Sequence, residues 1–347
     1  MSQPSPEALV TTVIPTYRRP KLLRRAIRSV LRQTYPHFQV CVYDNASGDE
    51  TAAVVQELAA TDPRVRYHCH ERNIGAMANY RYGFDHVTTP FFCTLGDDDA
   101  LLPTFFEMAL AGFDKFPEAA CSACGSMVVD GRGRVLQVVS WPSGLYLPPQ
   151  AMFAMLKHWY AWQGYLFRQE AIQITGGLDE KVGGPADFDF LLRLAALRPF
   201  AAQACPAALV RHGDDSLSSI FRFSDYWPQT VRMIRKIEAD ERIPPAVRAE
   251  LVRLLRDWQK FFLFRTIGLR SILDECWEDV TACATALEKE LGCRRAGFLK
   301  TLGGLCRRFP AARYGLQLIR GARRVSARIG NLPAQWKYRR LIKAAGI

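Results

Sequence analysis

Three consecutive aspartates, Asp97, Asp98 and Asp99, follow the apolar run Phe91-Phe92-Cys93-Thr94-Leu95. Like charges about 4 Å apart repel by roughly 4 kcal/mol at an effective dielectric of 20. Crowding them at the end of a buried strand therefore requires a retained proton or a counter-charge. A hard divalent cation, which prefers carboxylate oxygens, would supply that charge; a loop fully solvated at the surface would need none. Thiol chemistry is the other candidate. Cys121 and Cys124 make a C-x-x-C, but no second ligand pair stands at zinc-site spacing. Reduced thiols in a cytosolic protein are expected for the ten scattered cysteines.

The elements that must position the aspartates alternate. Residues 10–14 ("VTTVI"), 38–43 ("FQVCVY"), 65–69 ("VRYHC") and 91–95 ("FFCTL") have the β-rich apolar character of strands. Between them, "PKLLRRAIRSVLRQT" places Leu22, Leu23, Ala26, Ile27, Val30 and Leu31 on one helical face. "GDETAAVVQELAA" opens a second helix with acids in its first turn, and a third is expected around 76–86. Such alternation implies right-handed βαβ units and a mostly parallel sheet, whose ligands collect beyond the carboxyl ends of the strands. Three polar loops fall there: Pro15-Thr16-Tyr17-Arg18, Asp44-Asn45 and Asp97-Asp98-Asp99. No G-x-G-x-x-G follows the first strand and no G-x-x-x-x-G-K-[ST] occurs, which weighs against dinucleotide and P-loop enzymes.

Five segments in order, over roughly residues 9–220, resemble family 2 glycosyltransferases of the GT-A fold. They are the opening from "VTTVIPTYRRP" to "YDNASGDET", "ERNIGAMANYRYGF", "LGDDDALLP", "TGGLDEKVGGPADFDFLLRLA" and "VRHGDDSLSS". The resemblance implies that Pro15, Thr16, Tyr17 and Arg18 line a nucleotide pocket. It implies that Asp44 accepts the N3–H of a pyrimidine, as an ionised carboxylate can, and that Asn73 and Asn79 contact the donor. An Asx-turn role for Asp44 and turn or cap roles for the two asparagines compete. Asp97 and Asp99 resemble the two acids of a D-x-D pair: Asp99 would hold Mn²⁺ or Mg²⁺ and Asp97 would approach the ribose or the metal, with Asp98 near the donor and His212 near the metal or diphosphate. Asp187 resembles the base that takes the acceptor's proton. Two departures stand out: Gly96 replaces a further aspartate of many relatives, and Ala186 replaces a glutamate before the base. On a helix starting near Pro185, Asp187 and Asp189 point roughly 200° apart, so only one faces the sugar. Asp187 is the expected one, and Asp189 can pair with Arg193 or reach the acceptor. Trp159, Tyr160 and Trp162 are candidates for stacking on an acceptor sugar or for core packing.

The net charge of +12 is concentrated at one end. Residues 291–347 carry 14 Lys and Arg and no acid, which leaves residues 1–290 at a net −2. Residues 314–330 and 332–346 interleave apolar and basic residues at helical spacing, as in an interfacial helix on an anionic membrane. No motif supports nucleic acid. No run reaches the ~18 apolar residues of a membrane span, and the N-terminus lacks the pattern of a signal peptide. The expected organisation is a GT-A catalytic domain over 1–225 (nucleotide-sugar half about 1–103, acceptor half about 104–225), a helical extension over 226–290 with one long helix at 248–273, and a basic tail over 291–347. The expected function is inverting, metal-dependent transfer of a sugar from a UDP or dTDP donor to a glycan or lipid-linked glycan in surface polysaccharide synthesis. The protein is expected to be cytoplasmic and peripheral at the inner face of the cell membrane. A GT-A domain that only binds, or a nucleotidyltransferase of related fold, are the alternatives.

Overall fold

The computed structural model describes residues 9–158, 162–213 and 222–344. The chain forms two compact units, Met1–Gly213 with Asn331–Ile347, and Asp214–Gly330.

The first unit begins with β1 Val10–Thr16, α1 Pro20–Leu31, β2 Phe38–Asp44, α2 Thr51–Thr61, β3 Val65–Cys69, α3 Ala76–Asp85 and β4 Phe91–Thr94. It continues with β5 Ala100–Leu101, α4 Phe105–Lys115, β6 Cys121–Val129, β7 Val135–Val139, β8 Gly144–Tyr146 and α5 Gln150–His158. β9 Tyr165–Arg168, α6 Glu170–Thr175, α7 Ala186–Leu197 and β10 Phe200–Arg211 complete this stretch. The sheet runs β3-β2-β1-β4-β9-β6-β10-β5, with β7 beside β6 and β8 beside β10. Its first four strands are all parallel. The far half is mixed, because β9 inserts antiparallel between β4 and β6. β1 and β2 are buried along their whole length, which is why they read as continuous apolar runs and not as alternation.

α1 covers the parallel half with Leu23, Ala26, Ile27 and Val30; Leu22 and Leu31 are only partly buried. Ser29 on the helix and Gln33 just past its end, both buried, reach the segment after the aspartates. Ser29 Oγ accepts from the Leu101 N–H (3.1 Å). Gln33 donates to the Leu102 carbonyl (2.6 Å) and accepts from the Phe106 N–H (3.0 Å). Buried backbone groups need such partners, so α1 fixes the chain on the exit side of the triplet.

The second unit is helical: α8 Phe223–Ala239, α9 Pro245–Phe262, α10 Leu269–Leu273, α11 Trp277–Lys289, α12 Arg295–Arg308 and α13 Ala312–Gly330. Its core includes Tyr226, Trp227, Leu263, Ile267, Ile272, Val280, Leu287 and Leu299. The single helix expected over 248–273 is interrupted by a π-helical turn at Leu263–Gly268. A Cβ on Gly268 would come within 2.7 Å of Leu299, so a glycine there permits the close approach of α12. The last helix, α14 Leu332–Ala344, belongs to the first unit.

Candidate active site

The parallel pairing sets Thr16 of β1 level with Asp44 of β2, and Asp44 level with Cys69 of β3. All three polar loops thus emerge at one edge of the sheet. Arg18 and Ala46, just beyond β1 and β2, hold φ of 56° and 60°. Non-glycine residues in this region carry strain that the surroundings must maintain, and such positions cluster at functional sites. Arg18 is held through Ser47, whose Oγ accepts its N–H (2.8 Å) and whose carbonyl accepts its Nε–H (3.1 Å). Tyr17 beside it is 39% exposed.

Asp44 is buried, and its neighbours hold it on both sides. Oδ1 accepts from the Ser47 N–H (3.0 Å) and hydroxyl (2.5 Å), and Oδ2 accepts from the Tyr67 hydroxyl (2.7 Å). The local turn is therefore present, and the Cys69 thiol is a second donor to Oδ2 (3.7 Å). Asn73 accepts from Asn45 Nδ2 (3.0 Å) and from the Gly75 N–H (2.9 Å). Asn79 donates to the Tyr43 carbonyl (2.8 Å) and bonds His70 Nε2 (2.9 Å). Both asparagines latch the start of α3 to the end of β2.

Pro15 and Thr16 are buried at the end of β1. The Thr16 hydroxyl donates to Asp97 Oδ2 (2.8 Å). Asp99 accepts from Gln163 Nε2 (2.6 Å) and from the Arg211 N–H (2.8 Å). Counter-charge comes from three arginines. Arg19 lies 3.3 Å from Asp97 and 3.2 Å from Asp98, Arg211 is 3.6 Å from Asp98, and Arg25 donates to the Asp98 carbonyl (2.6 Å). Compensation is incomplete. Burial pushes the Asp97 carboxyl up to about 6 against the pull of Arg19. Burial, with Asp98 alongside, holds Asp99 well above the usual range. Arg19, Arg25, Gln163 and Arg211 lie 64 to 112 residues from their partners. The only signal in the sequence was that the triplet needed cations, not which ones.

Gly96 has a steric reason. The loop turns back there, with the Asp99 N–H donating to the Gly96 carbonyl (3.1 Å). A Cβ at Gly96 would lie 2.6 Å from Asp99 Oδ2, closer than carbon and oxygen can approach.

α7 begins at Ala186 after Pro185, as its sequence predicts. Asp187 sits in the first turn, partly buried, with Oδ1 accepting from the Phe188 N–H (2.7 Å). Withdrawal from water raises its carboxyl to about 7. Asp189 is fully buried and salt-bridged to Arg193 at 2.7 Å. Arg193 also donates to the Thr175 and Gly177 carbonyls, so this pair ties α7 to the loop before it. Ala186 is fully buried as well, and a glutamate there would have to bury its charge.

Tyr80 relates the two acidic groups. Its pKa is driven well above the ordinary phenol value by burial and by the fields of Asp97, Asp99, Asp98 and Asp187. Trp162, 5% exposed, lies beneath it with ring centroids 5.2 Å apart and also packs on Phe84. Trp159 and Tyr160 lie outside the described residues. His212 is exposed at the end of β10, its N–H donating to the Val129 carbonyl (2.8 Å). Among the described residues no three His, Cys, Asp or Glu side chains form a metal-holding group.

Residues 11–172 match the model of Glycosyl transferase family 2. That segment, a little under half of the chain, is what resembles a family 2 glycosyltransferase domain. The chain is 30% identical over 195 residues to the chondroitin synthase of Escherichia coli, a match covering 55% of this chain and 27% of that enzyme. The chain thus spans well under half the length of that relative. Among solved structures it resembles residues 1–349 of S. aureus TarS, with TM-score 0.62, 14% identity, and coverage of 89% of this chain and 91% of that one. That fragment is also known with UDP-GlcNAc. The mannosyltransferase PcManGT from Pyrobaculum calidifontis, solved with GDP-Man and Mn²⁺, aligns with TM-score 0.54 and 18% identity over 93% of this chain and 87% of its own. The two structural likenesses establish the GT-A fold. The family match contains the triplet and ends before Asp187, so the base assignment rests on position in α7.

Proposed function

We propose that this glycosyltransferase is an inverting, metal-dependent enzyme that moves a sugar from a UDP or dTDP donor to a glycan acceptor in surface polysaccharide synthesis. The observation that carries the reading is the pairing of two acidic groups around Tyr80: a buried, under-compensated triplet and a carboxyl with pKa near 7. Asp187 is suited to accept the acceptor hydroxyl proton, because a general base works best when its pKa lies near the working pH. One base is all that direct displacement with inversion requires of the protein.

The donor's diphosphate belongs beside Arg19 and Arg211, which offer guanidinium groups at the triplet. Asp44, with Pro15, Thr16, Tyr17 and Arg18, would hold the pyrimidine, whose N3–H would replace the Cys69 thiol as donor to Oδ2. The triplet fits a divalent ion in charge, since the raised carboxyls of Asp97 and Asp99 mark unsatisfied negative charge. Asp97 and Asp99 would hold it, with His212 as a further candidate ligand. Mg²⁺ and Mn²⁺ usually take the remainder of their shell from substrate phosphates and water. Such an ion would serve as Lewis acid to the departing diphosphate.

A glycan or lipid-linked glycan acceptor at the inner membrane surface fits the basic segment 291–347. On α12 and just past it, Phe298, Leu305 and Phe309 recur at steps of seven and four and are 60%, 48% and 53% exposed. On α13, Tyr314 and Leu318 are 68% and 75% exposed. Apolar side chains standing in water among arginines suit anionic lipid. No described helix is long and apolar enough to cross a membrane.

Turnover of labelled nucleotide sugars by the full chain, with a thermal-shift screen of donors in Mn²⁺, tests the reading. EDTA and Asp99→Asn should each weaken UDP binding strongly by calorimetry; unchanged affinity in both would remove the metal. Asp187→Asn should keep donor binding and lose roughly 10²–10⁴-fold in turnover. A chain that binds UDP but transfers no sugar to any acceptor would be a binding domain.

A further inference from the structure

α14 carries basic residues like the rest of the tail, yet one of its faces is committed to the sheet unit. Ala334, Tyr338 and Ile342 recur every four residues, and Ile342 is 3% exposed in a small cluster with Ala100, Leu102, Met127, Val129, Val135 and Leu209. Polar contacts fix the helix in register. Gln335 Oε1 accepts from the Val135 N–H (2.5 Å), its Nε2 donates to the Gly133 carbonyl (3.2 Å), and Asn331 donates to the Leu136 carbonyl (2.9 Å). Both ends of the Gln335 amide are used, on backbone groups of the turn and strand that α14 covers. The opposite face is open, with Leu332 58% and Trp336 71% exposed.

Several members of the cluster lie close to the acidic site. Ala100 follows the triplet directly and Leu102 stands three residues after Asp99. Leu209 pairs with Ala100 across the β5–β10 ladder and lies two residues before Arg211, whose N–H holds Asp99. Val129 receives the His212 N–H. β5 has only two residues, a short ladder to hold a loop carrying three carboxylates.

We infer that α14 is a clamp: by burying Ile342 in the cluster that contains Ala100, Leu102 and Leu209 it holds the Asp97–Asp99 loop and Arg211 in the geometry that binds donor. It acts through these residues and touches no substrate, so it is a positioning element. The inference rests on the reading of the triplet as the donor-binding loop.

The test compares full-length Ile342→Asp, Ile342→Leu and Gln335→Ala with Trp336→Ala on the open face. Amide hydrogen exchange, which needs no ligand, and UDP calorimetry in Mn²⁺ are the two readouts. Ile342→Asp and Gln335→Ala should speed exchange at residues 97–102 and 211 while β1 and β2 stay protected. Their UDP affinity should fall by about tenfold or more, a change that corresponds to roughly 1.4 kcal/mol. Ile342→Leu should restore both, and Trp336→Ala should change neither. Unchanged exchange in Ile342→Asp and Gln335→Ala overturns the clamp, as does exchange that rises equally across the whole sheet. Faster local exchange with no UDP binding by the unaltered chain would leave the clamp standing and sink the donor reading.

Discussion

Asp187 is both a site group and a cost to the fold. Its carboxyl titrates near 7 when folded and near 3.8 when not. A folded pKa above the unfolded one means that the native state binds the proton more tightly between pH 4 and 7. Stability is therefore full below about pH 4 and declines as pH rises through about 7. Three units correspond to up to ~4 kcal/mol. Asp187→Asn should melt above the unaltered protein at pH 8, and the gap should close toward pH 4; a gap independent of pH would contradict the titration. Turnover should rise with pH and level off above about 7, as required of a base. Gly96 makes the matching point for the triplet. Gly96→Ala must displace Asp99 Oδ2, 2.6 Å from the new carbon. A misplacement of about 1 Å can cost roughly 10²-fold in rate, and that loss in turnover should come with little change in melting temperature.

Among the elements, α7 shows how one helix serves fold and site with adjacent acids. Asp187 acts electrostatically on Tyr80 while Asp189 and Arg193 are locked together inside. Removing one partner of a buried pair leaves a stranded charge, at about 3–5 kcal/mol. Arg193→Leu should lower unfolding free energy by that amount in denaturant titration, because it also frees the Thr175 and Gly177 carbonyls. A loss below about 1 kcal/mol would mean that water reaches the pair. α1 has a comparable double role: its apolar stripe packs the sheet, and Ser29 and Gln33 hold the chain beyond the aspartates.

For the whole molecule the governing quantity is the uneven charge, near neutral over residues 1–290 and strongly basic after them. Liposome co-sedimentation of the full chain should favour anionic over neutral vesicles and weaken as salt rises, since exposed charges are screened over about 8–10 Å at physiological strength. Serine at Phe298, Leu305 and Phe309 together should reduce binding further. Equal binding to neutral vesicles, or no effect of the triple variant, would make these side chains a protein contact instead.

The βαβ order, the start of α7 and the basic tail helices were legible in the sequence, because apolar periodicity and helix-terminus residues act over a few neighbours. So was the demand for positive charge at Asp97–Asp99, because like-charge repulsion follows from adjacency alone. The identity of that charge was not. Arg19, Arg25 and Arg211 reach the triplet only because β1, β4 and β10 share a sheet, and nothing in local spacing encodes which strands lie side by side. The antiparallel insertion of β9, the π-helical turn at Leu263–Gly268 and the return of α14 to the sheet unit are of the same kind. Each depends on complementary surfaces meeting across tens to hundreds of residues: Leu299 against Gly268, Gln335 against the β7 backbone, Ile342 in one cluster with Ala100 and Leu209. An amphipathic helix with two usable faces, like α14, has its partner chosen only when the tertiary fold presents one.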